Sequence, residues 1–297
     1  MKILYIPLDY HRHSEDDRFF GDMLRAFQRH SEAIIYTNID NAIAFKPDVV
    51  FYHGSLSKED CIKIKLATGC KWTMWTGDAR YAPIKCLVDA MEFTDQYYLP
   101  FKGEMKDRFA ILLGKPCSFI WEKFSDWKFR EPKEMNGGTI SFVGNVYDSL
   151  PGGEERVDLM NFCNRNIPDC LFYGSLPGSP NNKGGIHHNS VPDLYNNSFA
   201  VIVENNIHDI EGYFTPRNIM GLASGSCCLM KVFPGIEEHF ENWKHCIYYR
   251  HKHELLDIVH YLRDKPEMRN KIAVAGHKLA KKKYTMDNFV KQYISQL

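Results

Sequence analysis

The stretch from Phe199 to Lys231, FAVIVENNIHDIEGYFTPRNIMGLASGSCCLMK, decides the fold of this chain. Two apolar runs within it, Phe199–Val203 and Cys227–Lys231, have the length and composition of buried strands. Between them lie a polar loop, Glu204–Thr215, and a short helical pattern, Pro216–Ser224. This alternation of strand and helix predicts an α/β unit.

The helix in this stretch has clear start and stop signals. Thr215 is a good N-cap, Pro216 suits the first helical position, and Gly225 suits the left-handed position after the helix. The helix therefore opens with free backbone N–H groups beside Arg217. Such a helix start favours anions, and we expect a phosphate or diphosphate there.

Composition excludes several classes of protein. The 297 residues are 44% hydrophobic and 25% charged, as in ordinary globular proteins. The formal net charge is zero, which disfavours a general attraction to nucleic acid or anionic membranes. Nine dispersed cysteines without a C-x-x-C pair indicate reduced thiols. The apolar run at residues 1–7 is too short for a signal segment or a membrane span, so we expect a cytoplasmic protein.

Strand and helix patterns alternate along the whole chain, which predicts two doubly wound, Rossmann-like α/β domains. The linker Phe129–Gly138 carries charge, proline and paired glycines, and we place the boundary there. The predicted domains are residues 1–132 and 133–283, followed by a terminal helix in 284–297. The predicted strands are Lys2–Pro7, Ala33–Tyr36, Asp48–Tyr52, Lys71–Trp75, Gln96–Leu99, Ser118–Ile120, Thr139–Val143, Cys170–Tyr173, Phe199–Val203, Cys227–Lys231 and Ile247–Tyr249.

Several motifs in the second half occur in a family order. They are Ser141–Asn145, Arg217–Gly225, Phe233–Phe240 and Glu254–Leu262. Through these segments the chain resembles the donor-binding domain of GT-B glycosyltransferases over roughly residues 139–285, and is closest to the spore-maturation-protein type. Two further segments, Ile202–Asn205 and Gly212–Thr215, are similar to the sugar-nucleotide loop of GT-B fucosyltransferases.

The resemblance implies a glycosyltransferase with two domains facing across a cleft. Its donor would be a nucleotide-diphosphate sugar, UDP- or GDP-linked, and its acceptor a hydroxyl of a glycan, protein, small molecule or modified DNA base. The zero net charge mildly disfavours DNA. The family commonly needs no metal, so we predict none, and the terminal helix is expected to pack back on the first domain.

The predicted donor contacts come from strand ends and from the opening loop and helix. Arg217 supplies a fixed charge for the diphosphate, or alternatively pairs with Glu211 at the surface. The other candidates are Gly144, Asn145, Tyr173, Glu204, Asn205, Tyr213, Thr215 and Asn218. Some of them have a plainer alternative: a turn for Gly144, core packing for Tyr173, and a solvated loop for the residues that follow Val203.

One position departs from the family pattern. Many GT-B enzymes carry, three residues after the arginine, a glutamate that binds the donor ribose, and here that position is Met220. Glu204 or Glu211 can supply this contact from the adjacent loop. Otherwise the usual ribose contact is absent.

The acceptor side is expected at strand ends of the first domain. Asp78 follows the fourth strand and His11 the first, and either can serve as the base that takes a hydroxyl proton. Asp78 can instead form an Asx turn with Gly77, and His11 can simply be solvent-exposed. Whether the transfer inverts or retains configuration stays open.

Two further functions share the same architecture. A non-catalytic module that binds a sugar nucleotide or glycan is suggested by Met220 in place of the ribose-binding acid. A nucleotide-sugar epimerase or phosphorylase is the third possibility. The phosphorylase would need additional basic groups.

Overall fold

A computed structural model gives the fold of the chain. The structure describes residues 1–8, 18–54, 56–122, 124–147, 152–175 and 180–297, and for residues 18–20 it describes the backbone alone. Contacts within the chain divide it into two compact units. The first unit comprises Met1–Ser125 with Met286–Leu297, and the second comprises Asp126–Thr285. The division at Ser125 lies before the predicted boundary at residue 132.

The first unit is a six-stranded parallel sheet with the order β2-β1-β3-β4-β5-β6. Its central strands, residues 2–6, 49–52 and 71–75, are predominantly apolar and almost wholly buried, as expected for strands covered on both faces. The elements of this unit are β1 Lys2–Ile6, α1 Arg18–His30, β2 Glu32–Ile35, α2 Ile39–Phe45, β3 Val49–Tyr52, α3 Lys58–Thr68, β4 Lys71–Trp75, α4 Lys85–Asp89, β5 Gln96–Leu99, α5 Gly103–Leu113, β6 Cys117–Phe119 and α11 Met286–Ile294.

The second unit is a five-stranded parallel sheet with the order β11-β10-β9-β7-β8. Its elements are β7 Ile140–Val143, α6 Gly153–Asn166, β8 Cys170–Tyr173, α7 Val191–Asn196, β9 Ala200–Val203, α8 Pro216–Ala223, β10 Cys227–Lys231, β11 Ile247–Tyr249, α9 Lys252–Asp264 and α10 Pro266–Lys283. The prediction of an α/β fold with two doubly wound parallel sheets is confirmed.

The strand order identifies where each sheet can bind a ligand. In the second unit the chain runs from β7 outward to β8, then returns to the other side of β7 to build β9, β10 and β11. In the first unit the corresponding reversal lies between β1 and β3. Ligands of open α/β sheets bind beyond the carboxyl ends of the strands at such a reversal. The segments after β7 and β9 therefore frame the candidate site of the second unit.

The terminal helix α11 belongs to the core of the first unit. Phe289 and Tyr293 of α11 are fully buried beside Phe27 and Phe51, and the ring centroids of Phe51 and Tyr293 are 4.8 Å apart. Asp287 accepts hydrogen bonds from Arg29 Nε and His30 Nε2 of α1, both at 2.8 Å. Aromatic packing and this ionic contact hold the end of the chain against the first unit, although the two are far apart in sequence.

The sequence predicted the strands better than the helices. Every predicted strand is present, five with the predicted bounds and six with ends shifted by one residue. Three helices, α2, α4 and α5, were not predicted. Two of them, α4 and α5, begin without a side-chain hydrogen bond at the N-cap, which removes the clearest sequence signal. In the described parts of the chain, no helix combines the length and apolar character that crossing a membrane requires.

Candidate donor-binding site

A buried polar network joins the start of helix α8 to the residues that follow β9. The Thr215 N–H donates to Asn218 Oδ1 at 3.1 Å, and the Thr215 hydroxyl donates to Asn205 Oδ1 at 3.0 Å. All three side chains are buried, and Asn218 Nδ2 also contacts the Met230 sulfur at 3.7 Å. These polar atoms orient the start of α8 by bonding to one another. Donor contacts from Asn205, Thr215 and Asn218 stay a prediction.

Arg217, in the first turn of α8, lies against the end of β7. A Cβ added at Gly144 would be 3.5 Å from Arg217 Nη1. Arg217 Nε is buried and has no hydrogen-bond partner. Within the described residues Arg217 forms no ion pair, and Glu211, its alternative partner, is exposed. A partly buried guanidinium without a counter-ion is the charge that a diphosphate site needs.

Arg156, which has no functional signal in the sequence, joins the ends of two strands. It projects from the first turn of α6, is fully buried, and donates to the carbonyl oxygens of Asn145 and Glu204, the latter at 3.0 Å. Its guanidinium lies 5.4 Å from the ring centroid of Phe142. Burial and the positive charge of Arg217 lower the pKa of Arg156 to about 10, so Arg156 stays charged at neutral pH.

Glu204 follows β9 and is the buried acid of the site. Its side chain is 1% exposed, with Arg156 Nε 3.8 Å from Oε2 and Lys231 Nζ 3.8 Å from Oε1. Lys231, at the end of β10, also lies 3.5 Å from Glu155. Burial raises the pKa of Glu204 to about 7, although Arg156 and Lys231 both favour its charged form.

Arg156, Glu204, His208, Arg217 and Lys231 together form what we call the polar cluster. Three cations surround one buried carboxylate, so the interior of the cluster has excess positive charge. Five of its buried polar atoms have no hydrogen-bond partner. They are Arg156 Nε, Glu204 Oε2, both ring nitrogens of His208 and Arg217 Nε. Each such atom costs about 1–3 kcal/mol when nothing satisfies it, which points to a polar, anionic ligand.

The residues after β7 and β8 form a tight backbone crossing. Asn145 Oδ1 accepts from the Ser175 N–H at 2.8 Å, and Gly144 N donates to the Tyr173 carbonyl at 2.9 Å. Gly174 has φ +132°, and a Cβ there would lie 2.0 Å from the Gly144 carbonyl oxygen. The side chain of Asn145 is therefore occupied in joining the two strand ends, while Tyr173 is half-buried beside them.

The two acids that could bind the ribose in place of Met220 differ in position. Glu204 lies in the polar cluster, whereas Glu211 is exposed. Tyr213, another predicted donor contact, is 5% exposed. Only one of the two acids is thus next to Arg156 and Lys231, and Glu204 is the better candidate for a hydroxyl contact.

Metal binding was predicted to be absent, and that stays a prediction. Glu155, Glu204 and His208 each present one ligand atom within 4.8 Å of the others, a spacing that a cation can bridge. The Lys231 ammonium already lies 3.5 Å from the Glu155 carboxylate and 3.8 Å from the Glu204 carboxylate, where it supplies one positive charge. The adjacent His187 and His188 are exposed, with ring centroids 4.5 Å apart.

Of the two predicted catalytic residues, the structure describes Asp78, which lies in the first unit. Asp78 follows β4, and its carboxylate is 69% exposed and 3.4 Å from Arg80 Nη2. Its backbone N–H donates to Thr76 Oγ1 at 3.4 Å. His11 lies outside the described residues. The roles of Asp78 and His11 as bases stay predictions.

Comparison with known proteins identifies the class. Residues 154–295 match the profile of a protein family described as glycosyl transferase-like. This region includes all five members of the polar cluster. The prediction of a glycosyltransferase is confirmed at the level of the class. The family description does not specify the spore-maturation-protein type, so that narrower assignment stays a prediction. A search of curated proteins found no match.

Several solved structures have a similar fold at low sequence identity. HepE of Anabaena, solved in complex with UDP-glucose, has a TM-score of 0.66 at 11% identity, and the alignment covers 100% of each chain. The β-glucosyltransferase of phage T4 has a TM-score of 0.66 at 14% identity, covering 99% of this chain and 98% of its own. Sucrose-phosphate synthase of Thermosynechococcus elongatus has a TM-score of 0.66 at 9% identity, covering 100% and 98%. At these identities the similarity establishes the fold.

Proposed function

We propose that this chain transfers a sugar from a nucleotide-diphosphate sugar to a hydroxyl acceptor, with the donor bound at the polar cluster. The observation that carries the proposal is the convergence of Arg156, Arg217 and Lys231 on the single buried carboxylate of Glu204. The unpaired polar atoms of Arg156, Glu204 and Arg217 lie beyond the strand reversal of the second unit. A diphosphate supplies both the negative charge and the hydrogen-bond acceptors that this arrangement lacks.

The cations have different roles in this proposal. Arg217 and Lys231 are partly exposed and can donate directly to phosphate oxygens. Arg156 is fully buried, and it holds the strand ends while adding positive potential. Glu204 accepts hydrogen bonds from hydroxyls of the donor, which is the role of the glutamate that many GT-B enzymes have at the position of Met220.

The chemistry follows from where charge develops. The bond between the anomeric carbon and the diphosphate oxygen breaks, and its electron pair leaves with the nucleoside diphosphate. The acceptor oxygen forms the new bond to the anomeric carbon and loses its proton to a base. Fixed positive groups stabilise the departing diphosphate more than the intact donor, which lowers the barrier. UDP- and GDP-sugars are the donors we propose, and no metal ion is required.

A nucleotide panel tests the proposal directly. We expect UDP or GDP, and the corresponding nucleotide sugar, to raise the melting temperature of the full chain at millimolar concentration, while uridine and guanosine without phosphates do not. Release of sugar from a labelled donor, with or without an added hydroxyl acceptor, then tests catalysis. If no nucleoside diphosphate raises the melting temperature, the donor-site proposal fails.

A second function, non-catalytic binding of a sugar nucleotide, is favoured by one observation. Met220 occupies the position where many GT-B enzymes have the ribose-binding acid. Nucleotide binding without any sugar release across a panel of acceptors and donors would support this alternative. Sugar release that disappears in an Arg217→Ala variant would exclude it.

A further inference from the structure

His208 is the member of the polar cluster for which the proposed diphosphate contact gives no role. It lies four residues after Glu204, its side chain is 15% exposed, and both its ring nitrogens are buried without hydrogen-bond partners. An imidazole with two unsatisfied nitrogens is costly in a folded protein. A ligand group that satisfies one of them lowers this cost.

The segment that carries His208 is firmly held. Ile207 and Ile210 on either side are 4% and 3% exposed. The carbonyl of Asn206 accepts from the Gly152 N–H at 2.9 Å, and a Cβ on Gly152 would lie 2.6 Å from that oxygen. His208 is therefore placed by packing and by the start of α6, and its ring position is defined before any ligand arrives.

The distance between His208 and Glu204 suits a shared hydroxyl. His208 Nε2 is 3.9 Å from Glu204 Oε1, which is too long for a direct hydrogen bond. A hydroxyl oxygen about 2.8 Å from each atom can donate its proton to the carboxylate and accept from the ring N–H. Phosphate oxygens cannot do this, because they are only acceptors and the adjacent carboxylate repels them.

The charge state of the ring agrees with this role. Burial lowers the pKa of His208 to about 3, and Lys231 and Arg156 add to the effect. The imidazole is therefore neutral at working pH, with one donor and one acceptor. A neutral donor and acceptor matches a sugar hydroxyl, whereas a charged imidazolium would have served as a fourth cation for the phosphates.

We propose that His208, together with Glu204, binds a hydroxyl of the donor and is a specificity residue of the site. The inference rests on the proposed function and extends it from the diphosphate to the sugar portion of the ligand. The hydroxyl belongs either to the ribose or to the transferred sugar. Both present the same chemistry, so the source is decided by experiment.

Two substitutions test the role without removing the fold. His208→Leu deletes both nitrogens at similar volume, and His208→Gln restores one donor and one acceptor. We expect the leucine variant to be as stable as the wild-type chain or more stable, because it removes unsatisfied buried groups. Its Kd for the nucleotide sugar, measured by calorimetry, should rise roughly ten-fold, which is the effect of removing one hydrogen bond to a charged or polar partner. The glutamine variant should recover part of the affinity. His187→Leu, an exposed histidine of the same unit, is the control.

The ligands distinguish the source of the hydroxyl. The probes are UDP with UDP-glucose, and GDP with GDP-mannose. A loss for the nucleotide and the nucleotide sugar alike assigns the ribose, and 2′-deoxy or 3′-deoxy nucleotides should then bind wild-type and leucine variants equally. A loss for the nucleotide sugar alone assigns the transferred sugar. If wild-type protein binds these ligands and both His208 variants bind them equally well, only the His208 inference is overturned. If wild-type protein binds none of them, the proposed function falls and the inference with it.

Discussion

Removing the charge of Arg217 is the sharpest test of the polar cluster. Arg217 has no ion pair within the described residues, and its charge lowers the pKa of the buried Arg156. Arg217→Ala should therefore leave the stability of the ligand-free chain unchanged or slightly higher. It should weaken diphosphate binding by one or two charge-assisted hydrogen bonds, about 1.5–3 kcal/mol each. One such bond corresponds to a rise in Kd of roughly 10- to 150-fold.

The assay compares ligand-induced stabilisation in matched variants. At a ligand concentration of about 100 times the wild-type Kd, the donor stabilises the folded chain by about 2.7 kcal/mol. A ten-fold rise in Kd reduces this to about 1.4 kcal/mol, and a 150-fold rise to about 0.3 kcal/mol. Arg263→Ala is the control, because Arg263 is also partly buried in this unit but is paired with Asp169. It should change stability by no more than about 1 kcal/mol and leave affinity unaltered.

Three results would contradict this reasoning. Equal stabilisation of wild-type and Arg217→Ala proteins would show that the diphosphate binds elsewhere. A large loss of stability in the ligand-free Arg217→Ala protein would show that Arg217 has a structural partner. Its charge would then be compensated within the folded chain, and the cluster would have no excess positive charge. Equal losses of affinity in the Arg217 and Arg263 variants would point to an indirect effect of charge.

Three other predictions address the acid, the metal and the backbone. Glu204→Gln should change the pH dependence of stability. The pKa of Glu204 is about 7 in the folded chain and about 4.3 in the unfolded chain. The protonated side chain therefore contributes its full stabilisation below a pH of about 4.3, and this stabilisation is lost as the pH rises through 7. The free energy of unfolding of Glu204→Gln relative to wild type should thus increase by roughly 2–4 kcal/mol from pH 4 to pH 8 in denaturant titrations, and an unchanged difference would contradict the buried position of the acid. Donor binding, followed by calorimetry, should persist in EDTA because Lys231 supplies positive charge beside the carboxylates, whereas loss of binding restored by a divalent cation would show that a metal is needed. Gly174→Ala should lower the free energy of unfolding by several kcal/mol, since its Cβ would meet the Gly144 carbonyl at 2.0 Å, and Gly185→Ala, with open space around it, should have little effect.

The sequence predicted the elements that depend on neighbours within a few residues. Thr215, Pro216 and Gly225 delimit α8 because caps act over one helical turn, and Gly225 has φ +69° in the structure. The apolar runs of the parallel strands are equally local signals. These local signals also predicted that Arg217 lies in the first turn of α8, and the structure has it there.

Other predicted site residues show the limit of such reasoning. Asn205, Thr215 and Asn218 have the polarity of ligand contacts, but in the structure they bond to one another. Polarity alone does not distinguish a side chain that binds a ligand from one that orients a helix. That distinction depends on which buried partner each atom meets.

The sequence alone was sufficient for the class of fold, the succession of strands along the chain and two charged residues of the candidate site, Arg217 and Glu204. Only the tertiary structure brought Arg156, Glu204 and Lys231 together, from the starts and ends of three different elements. Arg156 belongs to a helix turn whose sequence is typical of a solvated surface, and Lys231 to the last position of a strand. Their convergence arises because parallel strands present their carboxyl ends at one edge of the sheet, where the reversal between β7 and β9 leaves room for a ligand. Hydrophobic pattern encodes the strands, but the distance between two side chains on different strands is a property of the assembled sheet.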